Sequence, residues 1–71
     1  MEREEKLDLL AEVFDRAPGT LTPETRLDEL GWDSMAMLSV IAVVKARFGR
    51  KIPGAELRAF ETVGEILGRM E

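Results

Sequence analysis

The side chains that ordinarily perform covalent or acid–base chemistry are scarce in these 71 residues. There is no His and no Cys, which removes the commonest general base and metal ligand, every thiolate nucleophile and every cysteine-held metal centre. Asp28, Glu29 and Asp33 form the conventional carboxylate set for paired acid–base work, but so small a core offers little desolvation to separate their pKa values. No acids stand at EF-hand spacing, so no metal site is expected. Gly31 and Gly49 stand alone rather than in a phosphate-binding loop, and each reads as a turn or cap. What remains is a hydroxyl. Ser34 follows a long loop and falls in the first turn of an apolar helix, where it faces solvent beside backbone N–H groups that have no intrahelical partner. Such a terminus accommodates an attached anion. Asp33-Ser34 is equally ordinary helix-start chemistry, with Asp33 as the N-cap.

The elements that must position this serine follow from the hydrophobic spacing. Leu7, Leu10, Phe14 and Ala17 make one stripe with Ala11 beside them, which predicts a helix from about Arg3 to Ala17, stopped by Pro18-Gly19. Periodicity is lost from Gly19 to Trp32. Loops of that length are uncommon unless functional or anchored by their own side chains, here Leu21, Leu27, Leu30 and Trp32, with a short helical turn available over Thr25 to Leu30. Asp33 then caps a helix from Ser34 to Phe48, closed by Gly49. Its expected core face is Met37, Leu38, Val40, Ile41, Val44 and Phe48. The opposite face is Met35, Ala36, Ser39, Ala42, Val43, Ala46 and Arg47, which carries no acid and is a candidate contact surface. A short helix is expected over Ala55 to Phe60. Thr62 and Glu65 have capping-box spacing before a last helix presenting Val63, Ile66, Leu67 and Met70. The fold class is therefore all-α: a four-helix bundle of three main helices plus one short one, with a long loop between the first two.

Length and charge bound the function. A chain this short forms one domain with a marginal core, here residues 1–71, and a deep preformed substrate cleft is not expected. Met1 opens a Glu-Arg-Glu-Glu run rather than a signal segment, and no apolar run approaches a membrane span. A free-standing, soluble, cytoplasmic protein without stable membrane association is expected. The net charge of −4 disfavours nucleic acid as a ligand, despite a basic cluster of Lys45, Arg47, Arg50 and Lys51. The charge is also uneven. Residues 1–33 hold ten acids and four bases, net −6, whereas residues 34–71 hold four acids and six bases, net +2.

The run Leu30-Gly31-Trp32-Asp33-Ser34-Met35 resembles the attachment motif of acyl carrier proteins, and the resemblance continues in order through Phe48-Gly49, Ile52-Pro53 and Thr62-Val63. It spans essentially the whole chain. The resemblance implies a four-helix carrier fold that is not an enzyme, with a 4'-phosphopantetheine arm on Ser34 holding acyl groups as thioesters. Asp33 is then the motif acid as well as the helix cap, and Met35 replaces the usual Leu docked by partners. It implies as partners a phosphopantetheinyl transferase and the acyl-loading and acyl-transferring enzymes of fatty-acid, specialised lipid or polyketide-type synthesis, with a monomer expected.

The chain departs from the family in one respect. The helix after the attachment Ser is typically acidic in fatty-acid carriers, whereas no acid follows Asp33 before Gly49, and Lys45 and Arg47 occupy the distal end. Partner contacts are accordingly expected on Met35, Ala36, Ser39, Ala42, Val43, Lys45, Ala46 and Arg47, although Lys45 and Arg47 also complement the helix C-terminus. Two other readings remain open at this point: an aminoacyl or peptidyl carrier, against which Trp32-Asp33 argues, and an unmodified helical interaction module.

Overall fold

The computed structural model describes residues 2–70; the expectations that involve Met1 and Glu71 lie outside the described residues. Four α-helices, α1 (Arg3–Val13), α2 (Ser34–Phe48), α3 (Gly54–Ala59) and α4 (Val63–Arg69), are joined by a long α1–α2 connection that contains a 3-10 helix, Leu27–Leu30. Helix α1 packs on α2 and α4, and α2 packs on α3. The only extended pairing among the described residues is one isolated antiparallel bridge between Arg26 and Thr62. The all-α bundle read from the periodicity is the observed architecture.

Helix α1 is shorter than its hydrophobic stripe implies. It ends at Val13 rather than Ala17, four residues before the expected stop, because Asp15 adopts a left-handed conformation (φ 58°). The Asp15 N–H then donates to the Glu12 carbonyl at 3.1 Å and the Arg16 N–H to the Ala11 carbonyl at 2.7 Å. This is the double-bonded Schellman closure, formed with Asp where Gly is usual. Phe14 remains in the core as the C-cap residue, whereas Ala17 is exposed.

The long connection is held down rather than mobile by default. Leu21 and Leu27 are buried, the Gly19 N–H donates to Asp8 Oδ1 at 3.0 Å, and the Thr22 N–H donates to Thr25 Oγ1 at 2.9 Å. Its far end is strapped to the start of α4. The Leu27 N–H donates to the Glu61 carbonyl at 2.9 Å, the Val63 N–H to the Thr25 carbonyl at 2.9 Å and the Gly64 N–H to the Pro23 carbonyl at 2.8 Å. Loop carbonyls thus satisfy two of the N–H groups that a helix start leaves orphaned. The expected Thr62–Glu65 capping box is present, and Glu65 Oε1 accepts the N–H groups of Glu61 at 2.8 Å and Thr62 at 3.0 Å. Those backbone bonds, from Glu61 first and Thr62 second, hold the Glu65 carboxyl below its ordinary pKa.

The core joins Leu10 and Ala11 of α1, Val40 and Val44 of α2, Leu57 of α3, and Val63, Ile66 and Leu67 of α4. No polar or charged side chain is buried among the described residues. The α2 stripe is rotated from expectation. Val40 and Val44 are fully buried and Met37, Ile41 and Phe48 partly so, but Leu38 is 62% exposed. Centring the stripe between Val40 and Val44 turns Leu38 outward and draws Ala36 and Val43 inward on the other flank. Helix α3 starts one residue earlier than expected, at Gly54, and Phe60 is its C-cap. Arg69 Nη1 meets Glu56 Oε1 at 2.6 Å and ties α4 to α3. No described helix is long and apolar enough to cross a membrane.

Candidate functional site

The α2 N-terminus is built by three residues in succession. Gly31 ends the 3-10 helix in a left-handed conformation (φ 78°), which a glycine enters without steric cost. Trp32 is half-buried and lies against Phe14, ring centroids 5.9 Å apart at 48°, so the loop is pinned to α1 immediately before the serine. Its Nε1 is buried without a hydrogen-bond partner. Asp33 is the N-cap expected from the sequence, with extended backbone and Oδ1 accepting the Ala36 N–H at 2.9 Å.

Ser34 is the first residue of α2 and is exposed. It opens on a cavity of about 370 Å³ between α2 and α3, lined by Met37, Leu38 and Ile41 of α2 and by Gly54, Leu57 and Arg58 of α3. Met35, 73% exposed, and Leu38 stand as large apolar side chains in solvent near the serine. A hydroxyl at this place can carry a group attached through a phosphodiester: the helix start favours the anion, and the apolar cavity offers an adjoining surface to an attached chain. Among the described residues no cluster of three or more potential ligands could hold a metal ion.

Of the residues expected to form one contact face of α2, Met35, Ser39, Ala42, Lys45, Ala46 and Arg47 are exposed, whereas Ala36 and Val43 are partly buried. Asp33, Ser34 and Met35 are grouped at the helix start. Ala36, expected on the solvent face, is half-buried against the core. Ser39 and Lys45 are exposed. Ala42, Val43, Ala46 and Arg47 join Leu9, Glu12 and Val13 of α1 around a separate groove of about 440 Å³. The sequence reading missed Leu38 and Arg58 beside Ser34. Leu38 and Ile41 stand four and seven residues after Ser34, a spacing that places all three on one helix face and was available as a signal. Arg58 comes from α3, and nothing in its local sequence marks it.

Residues 7–70 match the family described as "Phosphopantetheine attachment site". The chain belongs to this family, whose members carry a 4'-phosphopantetheine group and act as carriers rather than enzymes. Among curated proteins it is 31% identical to the acyl carrier protein of Acidothermus cellulolyticus, over 94% of this chain and 86% of the relative. It is 32% identical to the acyl carrier protein of Thermobifida fusca, over 94% of this chain and 91% of the relative. The meromycolate extension acyl carrier protein of Mycobacterium tuberculosis is 29% identical over 90% of this chain, which spans 56% of that longer protein. No solved structure matches the chain significantly. Acyl carriage is the function these relatives share.

Proposed function

We propose that the protein carries acyl intermediates on a 4'-phosphopantetheine arm attached to Ser34, acting as a monomeric cytoplasmic carrier domain over residues 1–71. The observation that carries this reading is the exposed Ser34 hydroxyl at the first position of α2, opening on the apolar α2–α3 cavity. When bound, the arm supplies the thiol that holds cargo as a thioester. The chain's own residues present it. The Ser34 Oγ is the attachment atom, and Asp33 fixes the helix start through the Ala36 N–H and is the motif acid offered to the transferase. Met35 and Leu38 offer apolar contacts to the phosphopantetheinyl transferase and to acyl-loading and acyl-transferring enzymes. Ser39 and Lys45 extend the exposed α2 surface available to those partners. The absence of acids from α2 and the similarity to meromycolate extension carriers favour cargo of a specialised lipid pathway, with fatty-acid or polyketide-type synthesis as the broader class.

The test is incubation of the apo-protein with coenzyme A and a broad-specificity phosphopantetheinyl transferase, followed by intact mass. One adduct is expected on the wild-type chain and none on Ser34→Ala. An adduct that persists in Ser34→Ala, or no adduct on wild type, overturns the assignment.

A further inference from the structure

A second surface lies at the other end of α2. The groove between α1 and α2 has an apolar floor of Leu9 and Val13 from one helix and Ala42, Val43 and Ala46 from the other. Ala42 and Ala46, one turn apart, are too short to fill it. On the α1 side its rim is Glu12. Glu5, Asp8 and Glu12, at i, i+3 and i+7, share a face of α1, and with Asp15 past the helix end they line an adjoining hollow of about 470 Å³, where four acids outnumber two bases, Arg16 and Arg47. Among the described residues none of these four carboxylates forms an ion pair. On the α2 side the rim is Arg47.

We propose that this groove docks a basic amphipathic helix of a partner protein. The partner's apolar side chains fill the floor and its Lys or Arg side chains lie over the acidic edge of α1. The proposal rests on the carrier reading above and adds where partners are held. Charge complementarity selects the occupant. An acidic or uncharged helix gains nothing from Glu12 and its neighbours, and an anionic membrane surface is repelled by them. The steering charge that α2 lacks is thus supplied by α1. Ala42 and Ala46 stand eight and twelve residues after Ser34, about 12 to 18 Å along the helix axis. A helix seated there leaves Ser34 and its cavity uncovered, so the groove serves to retain the carrier while the arm remains free to visit an active site.

The experiment titrates the isotope-labelled full chain with two synthetic amphipathic helices, one with Lys flanking a Leu face and one with Glu in place of each Lys. The Lys peptide is expected to shift the amides of Leu9, Val13, Ala42, Val43 and Ala46. Its affinity should fall about tenfold, about 1.4 kcal/mol, in Glu12→Lys and in Ala46→Gln, both exposed positions, and should weaken with salt. Shifts centred on Met35, Leu38 and Arg58, equal binding of the Glu peptide, no binding by the Lys peptide, or unchanged affinity in the variants would overturn the proposal. Intact mass of the transferase-treated wild-type chain separates the two readings: an adduct without groove binding removes only the docking surface, whereas no adduct removes the carrier assignment.

Discussion

The Gly64 N–H donates to the Pro23 carbonyl at 2.8 Å, and a Cβ placed on residue 64 would stand 2.9 Å from that same oxygen. The bond and the close approach are one constraint: the loop backbone reaches the α4 start only because residue 64 has no side chain. Gly64→Ala is expected to destabilise the fold by about 1 to 3 kcal/mol, as overpacking against backbone does. Gly68, in the same helix with open space around it, should show the opposite sign, Gly68→Ala gaining about 0.5 to 1 kcal/mol from helix propensity. Urea denaturation of both variants checks the pair, and equal effects would refute the steric account.

Glu65 gives the fold an acid-sensitive element. Its carboxyl is held below the ordinary range by the Glu61 and Thr62 N–H groups. A depressed folded-state pKa contributes stability above the unfolded value, and that contribution is lost as pH falls through the folded one. Glu65→Gln keeps an acceptor but loses the charge. The variant should therefore be less stable than wild type at neutral pH, with the gap closing as pH drops below the usual carboxylate range. Thermal melts of both proteins across that range measure it, and a gap that widens in acid contradicts the assignment.

Asp15 carries the turn that ends α1. At φ 58° an L side chain is strained, Asp less than most. Asp15→Gly should leave stability unchanged or raise it by up to about 1 kcal/mol, whereas Asp15→Val should lower it by about 1 to 2 kcal/mol. Chemical denaturation distinguishes these outcomes, and a tolerated Val would mean that the Schellman closure contributes little.

Trp32 combines useful packing against Phe14 with an unpartnered buried Nε1. Trp32→Phe keeps an aromatic ring and removes the orphan donor, so it should be neutral or stabilising by about 1 kcal/mol. Trp32→Ala loses the ring and should cost about 2 kcal/mol or more. A large loss in Trp32→Phe, read by denaturant midpoint, would show that Nε1 finds a partner in solution.

Helix α2 was legible in the sequence to the residue, because both of its ends are chemically marked: Asp33 accepts the Ala36 N–H and Gly49 takes a left-handed turn. The α4 start was legible for the same reason, through Thr62 and Glu65. The end of α1 was not, since Asp15 entering a left-handed conformation leaves no trace as distinct as Gly19, and the apolar Ala17 extends the stripe beyond the helix. The exposure of Leu38 was hidden for another reason. Periodicity ranks the faces of a helix but does not fix its rotation, which is set by how α1 and α3 pack against it. The serine and its cap could be located from local signals. The cavity and the α1–α2 groove could not, because each is made by residues of two helices.

The bonds between Pro23 to Leu27 and Glu61 to Gly64 also close the chain into a ring, with α2 and α3 inside it. A pull applied at Ser34 therefore does not load a free hinge. The tension runs both ways around the ring to a clasp of backbone hydrogen bonds at the α4 start, which holds the two ends of the segment bearing the serine together at one place.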